Sequence, residues 1–412
     1  MNTIVFDDAH RANFLPLAYT RPVGMFRMGL FTACESWKQL LSSPVSCLAH
    51  PSLRAVYAAT VADDNWFING RLIPYAGFLS ELESLNTNEA LVHGGNLLAA
   101  RCSREAAMDW IENGSSLDKL NAKNVAIDDE AGSSIHPQTK KITGPIVLNA
   151  LPDLFTYNEA KLIEDYRICT RGRVSAPIDP TCIVLGDPGL VFIEPGAQVE
   201  ACFLNTRKGP IYIGSDAQVM EAAVMHGPVA ILDHSVVRAG AKIYGATTVG
   251  PHCKVAGEVS NSVIFGYSNK GHEGFIGNAV LGEWCNLGAD TNCSNLKNNY
   301  SDVSIWNYAR GSYVNTGLTF CGLIMGDHAK CGINTMFNTG TVVGVAANVF
   351  GGGFPPKYIP SFSWGGAEGF EPYERDKAIE TAKKAMARRQ LSLTNDEERV
   401  LRSIHDDVTV VE

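Results

Sequence analysis

From Ile213 the chain places an apolar residue at every sixth position: Ile213, Val219, Met225, Ile231, Val237, Ile243, Val249 and Val255. Four residues after each comes a small or β-branched one: Ala217, Ala223, Val229, Ser235, Ala241, Thr247, Cys253 and Val259. A second run steps through Met325, Cys331, Phe337, Val343 and Val349, with Ala329, Thr335, Thr341 and Ala347 in the small slots. Between the runs the phase shifts to Phe275, Leu281 and Leu287. A helix repeats every 3.6 residues and a half-buried strand every two, so neither accounts for a period of six.

A coil of three flat hexads does. Each hexad gives a short strand and a turn, the sixth side chain points into a prism, and successive coils pair as parallel strands about 4.8 Å apart. The pattern predicts a left-handed parallel β-helix of hexapeptide repeats over 181–353, beginning with an irregular pair at Ile193 and Val199. Its flat outer faces call for burial, and a homotrimer is the expected solution.

The flanks lack the period. Residues 1–160 read as an α/β domain: TIVF and AVYAAT as strands, FRMGLFTACESWKQLL and SELESL as helices, NEALVHGGNLLAAR as a hairpin leading into a helix. A linking helix is expected near 161–180, in the stretch opening at PDLFTYNEAKL, with Asn158 as its N-cap. In the tail, 354–412, GGGFPPKYIPSFSWGG suggests an extended arm lying on another surface. YERDKAIETAKKAMARRQ suggests a helix docked through Ala378, Ala382, Ala385 and Met386. Its Lys/Arg run reads either as a solvated face or as a group near a phosphate ligand.

Composition narrows the classes. With 45% hydrophobic and 19% charged residues the chain is not disordered, and a net charge of −9 argues against a generally basic nucleic-acid binder. No apolar run approaches the roughly 20 residues of a membrane helix. MNTIVFDDAH has no basic n-region, and the eleven cysteines form no C-x-x-C. Both fit a cytoplasmic protein with reduced thiols and neither a nucleic-acid nor a membrane partner.

Polar residues gather where the repeat is interrupted, at 261–300: Tyr267, Asn269, Lys270, His272, Asn286, Asn292, Asn295, Lys297 and Tyr300 among them. A loop on a rigid solenoid is a sensible place for chemistry. His272, between Gly271 and Glu273-Gly274, reads as a general base or as an ordinary exposed histidine.

The order Lys270-Gly271-His272, Phe275, Gly277, then Asn286-Leu287-Gly288-Ala289-Asp290-Thr291 resembles the acetyltransferase domain of the bifunctional UDP-N-acetylglucosamine pyrophosphorylase/glucosamine-1-phosphate N-acetyltransferase family. Arg238-Ala239-Gly240-Ala241 resembles the family's Arg-Pro-Gly-Ala, and the whole chain resembles the family's variant found in Bacteroidetes. The resemblance implies acetyl-CoA as co-substrate and His272 as the base. Arg238, Lys270, Asn286 and Lys297 would then contact the amino-sugar phosphate, and Ala289, Asn295 and Tyr300 the acetyl-CoA. Three departures stand out: Phe275 for a tyrosine, Asp290 for a glycine, and Ser294-Asn295-Leu296 for Cys-Asn-Tyr.

The resemblance also implies a sugar nucleotidyltransferase-like N-terminal domain that transfers UMP from UTP with Mg²⁺. The usual Gly-x-Gly-Thr-Arg loop is missing. In its place Arg11, Arg21 and Arg27 could hold phosphates, and Asp7 and Asp8 could either hold the metal or cap a loop. Two rivals follow from these departures. One is an acetyltransferase acting on another amino-sugar phosphate or nucleotide sugar. The other is a non-catalytic trimer that binds sugar nucleotides.

Overall fold

The computed structural model describes residues 1–114, 121–124, 135–136 and 141–409. Two compact units emerge: Met1–Arg11, Arg21–Phe26 and Phe31–Asn149 form one, and Ala12–Thr20, Arg27–Leu30 and Ala150–Glu412 the other.

The first unit is built on a six-stranded sheet. Asn2–Phe6 lies between Val45–Leu48 and Asp64–Asn69, parallel to both, and Asn96–Ser103, Glu89–His93 and Asn121–Asn124 continue the sheet beyond Asp64–Asn69. Ile4, Phe6, Phe67 and Ala100 are buried with Trp110, which stacks on Phe67 at 4.4 Å. The hairpin and following helix are where the pattern put them, at Glu89–His93, Asn96–Ser103 and Arg104–Asn113. The helix expected over 26–41 is shorter. It spans Ala33–Leu41, because Thr32 and Glu35 close a capping box that fixes its start. AVYAAT forms turns and irregular backbone instead of a strand.

The second unit is a left-handed β-helix with C-terminal helices. Its first face stacks six parallel strands from Ile183–Leu185 to Phe275–Gly277; the second runs from Val191–Ile193 to Tyr358–Ile359, and the third from Gln198–Val199 to Ser363–Gly366. The sixth-position residues fill the prism: Ile213, Val219, Met225, Ile231, Val237, Ile243, Val249 and Val255 are all buried, with Ala217, Ala241 and Cys253 beside them. Burying each large side chain is worth about 1.5–3 kcal/mol, so the stack carries its own core.

The middle phase needs one correction. Ile276, opposite Val259, points inward, whereas Phe275 pairs with Glu258 on the outer face. The tail also differs. The Gly/Pro-rich stretch is no free arm: Tyr358–Ile359 and Ser363–Gly366 extend the second and third faces past 353. Two helices follow, Arg375–Ala387 and Asn395–Thr409, of which the pattern indicated only the first. Ala378, Ile379, Ala382 and Met386 of the first are buried, as are Val400, Leu401 and Ile404 of the second. No helix among the described residues is long and apolar enough to cross a membrane.

Asn158 is not an N-cap. It opens the helix Asn158–Thr170 fully buried, its side-chain Oδ1 accepting from Gly29 N at 2.7 Å and its Nδ2 donating to Ala246 O. Seven residues on, the Asp165 carboxylate accepts from Leu30 N and from the buried Lys161 ammonium. Together they clamp Arg27–Leu30 onto the helix. Along one corner of the prism, His234, His252, Tyr267, Trp284 and His328 stack ring on ring, with centroids 4.7, 4.8, 4.3 and 6.2 Å apart.

Candidate active site

His272 lies in the turn that carries the chain from Asn269–Lys270 on the third face to Phe275–Gly277 on the first. Its side chain is exposed. What holds the turn is beneath it. Lys270 is paired with Val255, a core position, and is only 1% exposed. Its ammonium therefore reaches back out of the prism and donates to the carbonyls of His272 and Glu273, at 2.5 and 3.0 Å. Burial pushes the Lys270 pKa down to about 8, against the opposing pull of Glu273 and Asp290. Its register points Lys270 inward, and two of its three N–H donors serve the loop, which makes it a support for the turn where the resemblance implied a substrate contact.

Arg238 leaves the third face at the equivalent corner two coils earlier, after Val237, and is exposed. Two strand spacings, roughly 10 Å, separate the two turns, within the reach of a long guanidinium side chain. On the other side of His272, Asn286 pairs with Asn269 and is exposed on the third face. Its strand leads into the next turn, Gly288 to Thr291. There Asp290 holds φ +56°, the left-handed region that favours glycine and that aspartate tolerates better than most residues. Ala289 is half-buried, and its carbonyl accepts from Asn334 N.

Phe275 N donates to Asn292 Oδ1 at 2.8 Å, and its ring lies near Gly277, where the Asn295 amide also approaches. Asn295 donates to Asn278 Oδ1 at 2.8 Å. Lys297 is tied into its own loop through Asp302 O and Ser301 Oγ, while Tyr300 is 72% exposed. The corner thus gathers His272, Arg238, Asn286 and Ala289, with Phe275 and Asn295 on the adjoining first-face side.

In the first unit, Asp7 and Asp8 follow Asn2–Phe6, the second strand of the sheet, at its C-terminal end, with Asn69 ending the neighbouring strand. Chain connections diverge from that strand, and open α/β sheets bind ligands in such a crevice. Sequence reasoning missed the residue that dominates it. Arg71 is fully buried and grips Asp8 with Nε at 2.9–3.0 Å and Nη2 at 2.6 Å. Its remaining N–H groups go to Leu148 O, Asn149 Oδ1 and Asn96 Oδ1. Asn69 and His10 N also donate to Asp8. Burial works against the Asp8 carboxylate, but the Arg71 and Asn69 hydrogen bonds outweigh it and hold its pKa low.

Asp7 accepts from Val23 N at 2.9 Å and His50 N at 3.3 Å and sits 3.7 Å from Arg11 Nε; burial pushes its pKa up to about 6. Mg²⁺ wants several open oxygens in near-octahedral array. These carboxylates already accept from five backbone or side-chain groups, and no cluster of three metal-binding side chains occurs among the described residues. The pair does not fit a magnesium site. Arg21 is buried in the first unit. Arg27 belongs to the second unit, with Nη1 donating to Leu30 O.

Residues 3–174 match the family model described as sugar nucleotidyl transferase. A 95-residue stretch is 30% identical to the bifunctional sugar-1-phosphate nucleotidylyltransferase/acetyltransferase of Sulfurisphaera tokodaii, covering 23% of each chain. A stretch of 198 residues is 23% identical to the bifunctional protein GlmU of Synechococcus elongatus, covering 44% of this chain and 39% of that one. Parts of the chain are thus similar, at low identity, to bifunctional sugar nucleotidyltransferase/acetyltransferases. A 98-residue stretch is also 36% identical to the flagellar P-ring protein of Pseudomonas paraeruginosa, covering 23% of this chain and 27% of that one. The chain spans between about a quarter and two fifths of the length of these curated relatives. Among solved structures, the polySia specific acetyltransferase NeuO aligns over 51% of this chain and 94% of its own, with 13% identity and a TM-score of 0.27.

Proposed function

We propose that the β-helix N-acetylates glucosamine-1-phosphate from acetyl-CoA, as in the Bacteroidetes-type variant that the sequence resembles. The observation that carries this reading is the exposed imidazole of His272, held on a turn that Lys270 fastens from inside, on the same corner as Arg238. In this reading the neutral imidazole takes a proton from the amino group as its nitrogen attacks the thioester carbon. The carbon–sulfur bond breaks, the acetyl group passes to nitrogen, and the coenzyme A thiolate leaves and takes up the proton. Arg238 holds the sugar phosphate as a two-pronged donor, and Asn286 orients the sugar. Asn295 and the backbone near Ala289 face the thioester oxygen, where donors stabilise developing negative charge. Lys297 and Tyr300 flank the ligands from the loop after Asn295.

A homotrimer belongs to the same reading. Ile183 and Phe203, neighbours on the outer side of the first face, are 48% and 40% exposed, and Met336, which pairs with Asn292 beyond that face, is 37% exposed. Three copies that bury this face would shield them.

For the first unit, the match over 3–174 supports a nucleotide or nucleotide-sugar ligand, with Arg11 and Arg21 as phosphate contacts. The commitment of Asp8 to Arg71 favours a second reading there: binding without uridylyl transfer. One experiment tests both. Purified protein receives glucosamine-1-phosphate, acetyl-CoA, UTP and Mg²⁺, with each omitted in turn. N-Acetylglucosamine-1-phosphate that requires acetyl-CoA supports the first proposal, and its absence overturns it. UDP-N-acetylglucosamine that requires UTP would overturn the binding-only reading.

A further inference from the structure

Four cations meet where the helix Arg375–Ala387 ends on the third face of the β-helix. Lys254 lies on the outer side of that face, next to Val236 on one side and Asn269 on the other. Arg238 follows Val237 at the adjoining corner, and its backbone N–H donates to Val255 O. The helix Arg375–Ala387 closes with Arg388 at its C-cap. Arg389, the next residue, donates to His252 O at 3.2 Å and to Asn269 Oδ1 at 3.5 Å. These bonds pin it one strand from Lys254. Among the described residues, none of the four has a carboxylate within salt-bridge distance. The lysines one turn and more back in the helix, Lys377, Lys383 and Lys384, are each paired with a glutamate. Two carboxylates act on the rings beside Arg389, Asp233 on His252 and Glu283 on Tyr267, and neither forms an ion pair with the four among the described residues. Burial lowers the Lys254 pKa, and Arg389, Arg238 and Arg388 lower it further.

Like charges gathered without counter-charge cost free energy that a bound anion recovers. We propose that Arg238, Lys254, Arg388 and Arg389 form one phosphate-binding platform on the corner that leads to His272, with the C-terminal segment supplying half of its charge. The platform takes a phosphorylated small molecule. Two sources share that chemistry: the phosphate of the amino-sugar acceptor and the phosphates of coenzyme A. The proposal deepens the acetyltransferase reading and rests on it for the identity of the ligand. The binding measurement below does not depend on turnover.

The test is calorimetric titration of the full chain with inorganic pyrophosphate at low and high salt, on wild type, Lys254→Gln, Arg388→Gln and the double variant. Saturable binding to wild type that weakens with salt, and at least about tenfold weaker binding to the double variant, is the expected result. Equal binding to all four proteins, or none to wild type, overturns the platform. If the double variant fails to fold, Arg388→Gln alone decides: its side chain is exposed and touches no acidic partner, and about threefold weakening is expected. Competition identifies the source. Displacement of pyrophosphate by glucosamine-1-phosphate assigns the platform to the acceptor, and displacement by 3′,5′-ADP assigns it to coenzyme A. Failure of both to displace marks an unspecific basic surface and overturns the proposal. An inactive His272→Ala with intact pyrophosphate binding, or wild type that binds but never acetylates, separates the fate of the platform from that of the catalytic reading.

Discussion

The ammonium of Lys270 and the main chain of His272 are joined by a hydrogen bond that runs from the interior of the prism to its corner, 2.5 Å from Nζ to the carbonyl oxygen. A charged donor thus replaces the aliphatic residue that fills the same register in the preceding coil, Val255. The geometry sets the direction of the imbalance: a lysine lost from this position leaves two loop carbonyls without their donor, and the turn that presents the imidazole loosens.

His272→Ala should lower acetyl transfer to glucosamine-1-phosphate by about 10²–10⁴-fold, the usual worth of a positioned general base, while the unfolding midpoint stays within a few degrees of wild type. Lys270→Met should also lower the rate, but with a destabilisation that accompanies it. Initial rates paired with thermal melts check both. An unchanged rate in His272→Ala removes the catalytic assignment.

Asp8→Asn should be strongly destabilising. Removing one partner strands the buried Arg71 charge, and broken buried pairs typically cost about 3–5 kcal/mol. Chemical denaturation measures the loss. A simultaneous Arg71→Met and Asp8→Asn change should recover part of it, since no unpaired charge then stays buried.

Asp7 gives a pH signature. Its folded pKa, about 6, lies above the unfolded carboxylate value of 3.8, so the folded form holds the proton more tightly. The contribution of this group is therefore most favourable below the unfolded value and is lost as pH rises through about 6. Asp7→Asn should gain stability relative to wild type between pH 4 and 7, by at most about 3 kcal/mol. Unfolding midpoints of the two proteins across that range test it; a constant difference would show that Asp7 does not titrate there.

Backbone geometry yields two opposed outcomes. Gly29→Ala should destabilise, because φ is +68° and a Cβ there would sit 2.2 Å from Asp165 Oδ2. Asp290→Gly should be neutral or stabilising by up to about 1 kcal/mol, because the left-handed conformation at φ +56° strains a residue with a Cβ. Parallel melts of the two variants should move in different directions.

The coil was legible because its register is written in a strict period: each of the eight residues from Ile213 to Val255 is buried where the step of six places it. The period also misled where a turn shortens, and Phe275, apolar and in phase, proved to be an outer-face residue beside Ile276. The candidate corner was readable from His272 and Arg238, since both sit in short-range motifs. Lys270 was not, because nothing local distinguishes an inward lysine from an outward one. Arg71 was invisible for a different reason: its partners Asp8, Asn96 and Leu148 lie 63, 25 and 77 positions away, and only the sheet brings them together. Asn158 looked like a helix cap from its neighbours, yet its hydrogen bonds go to Gly29 and Ala246.

The first two rings of the column, His234 and His252, mark a natural unit of length in the regular part of the solenoid. Eighteen positions separate His234 from His252, one full circuit of the prism. Excising such a block, residues 235–252, would set Cys253 directly after an equivalent histidine and leave every later layer in phase, whereas a cut of seventeen would turn side chains inside out downstream. The molecule is therefore modular in whole circuits, and can be shortened or grown like a spring, one winding at a time.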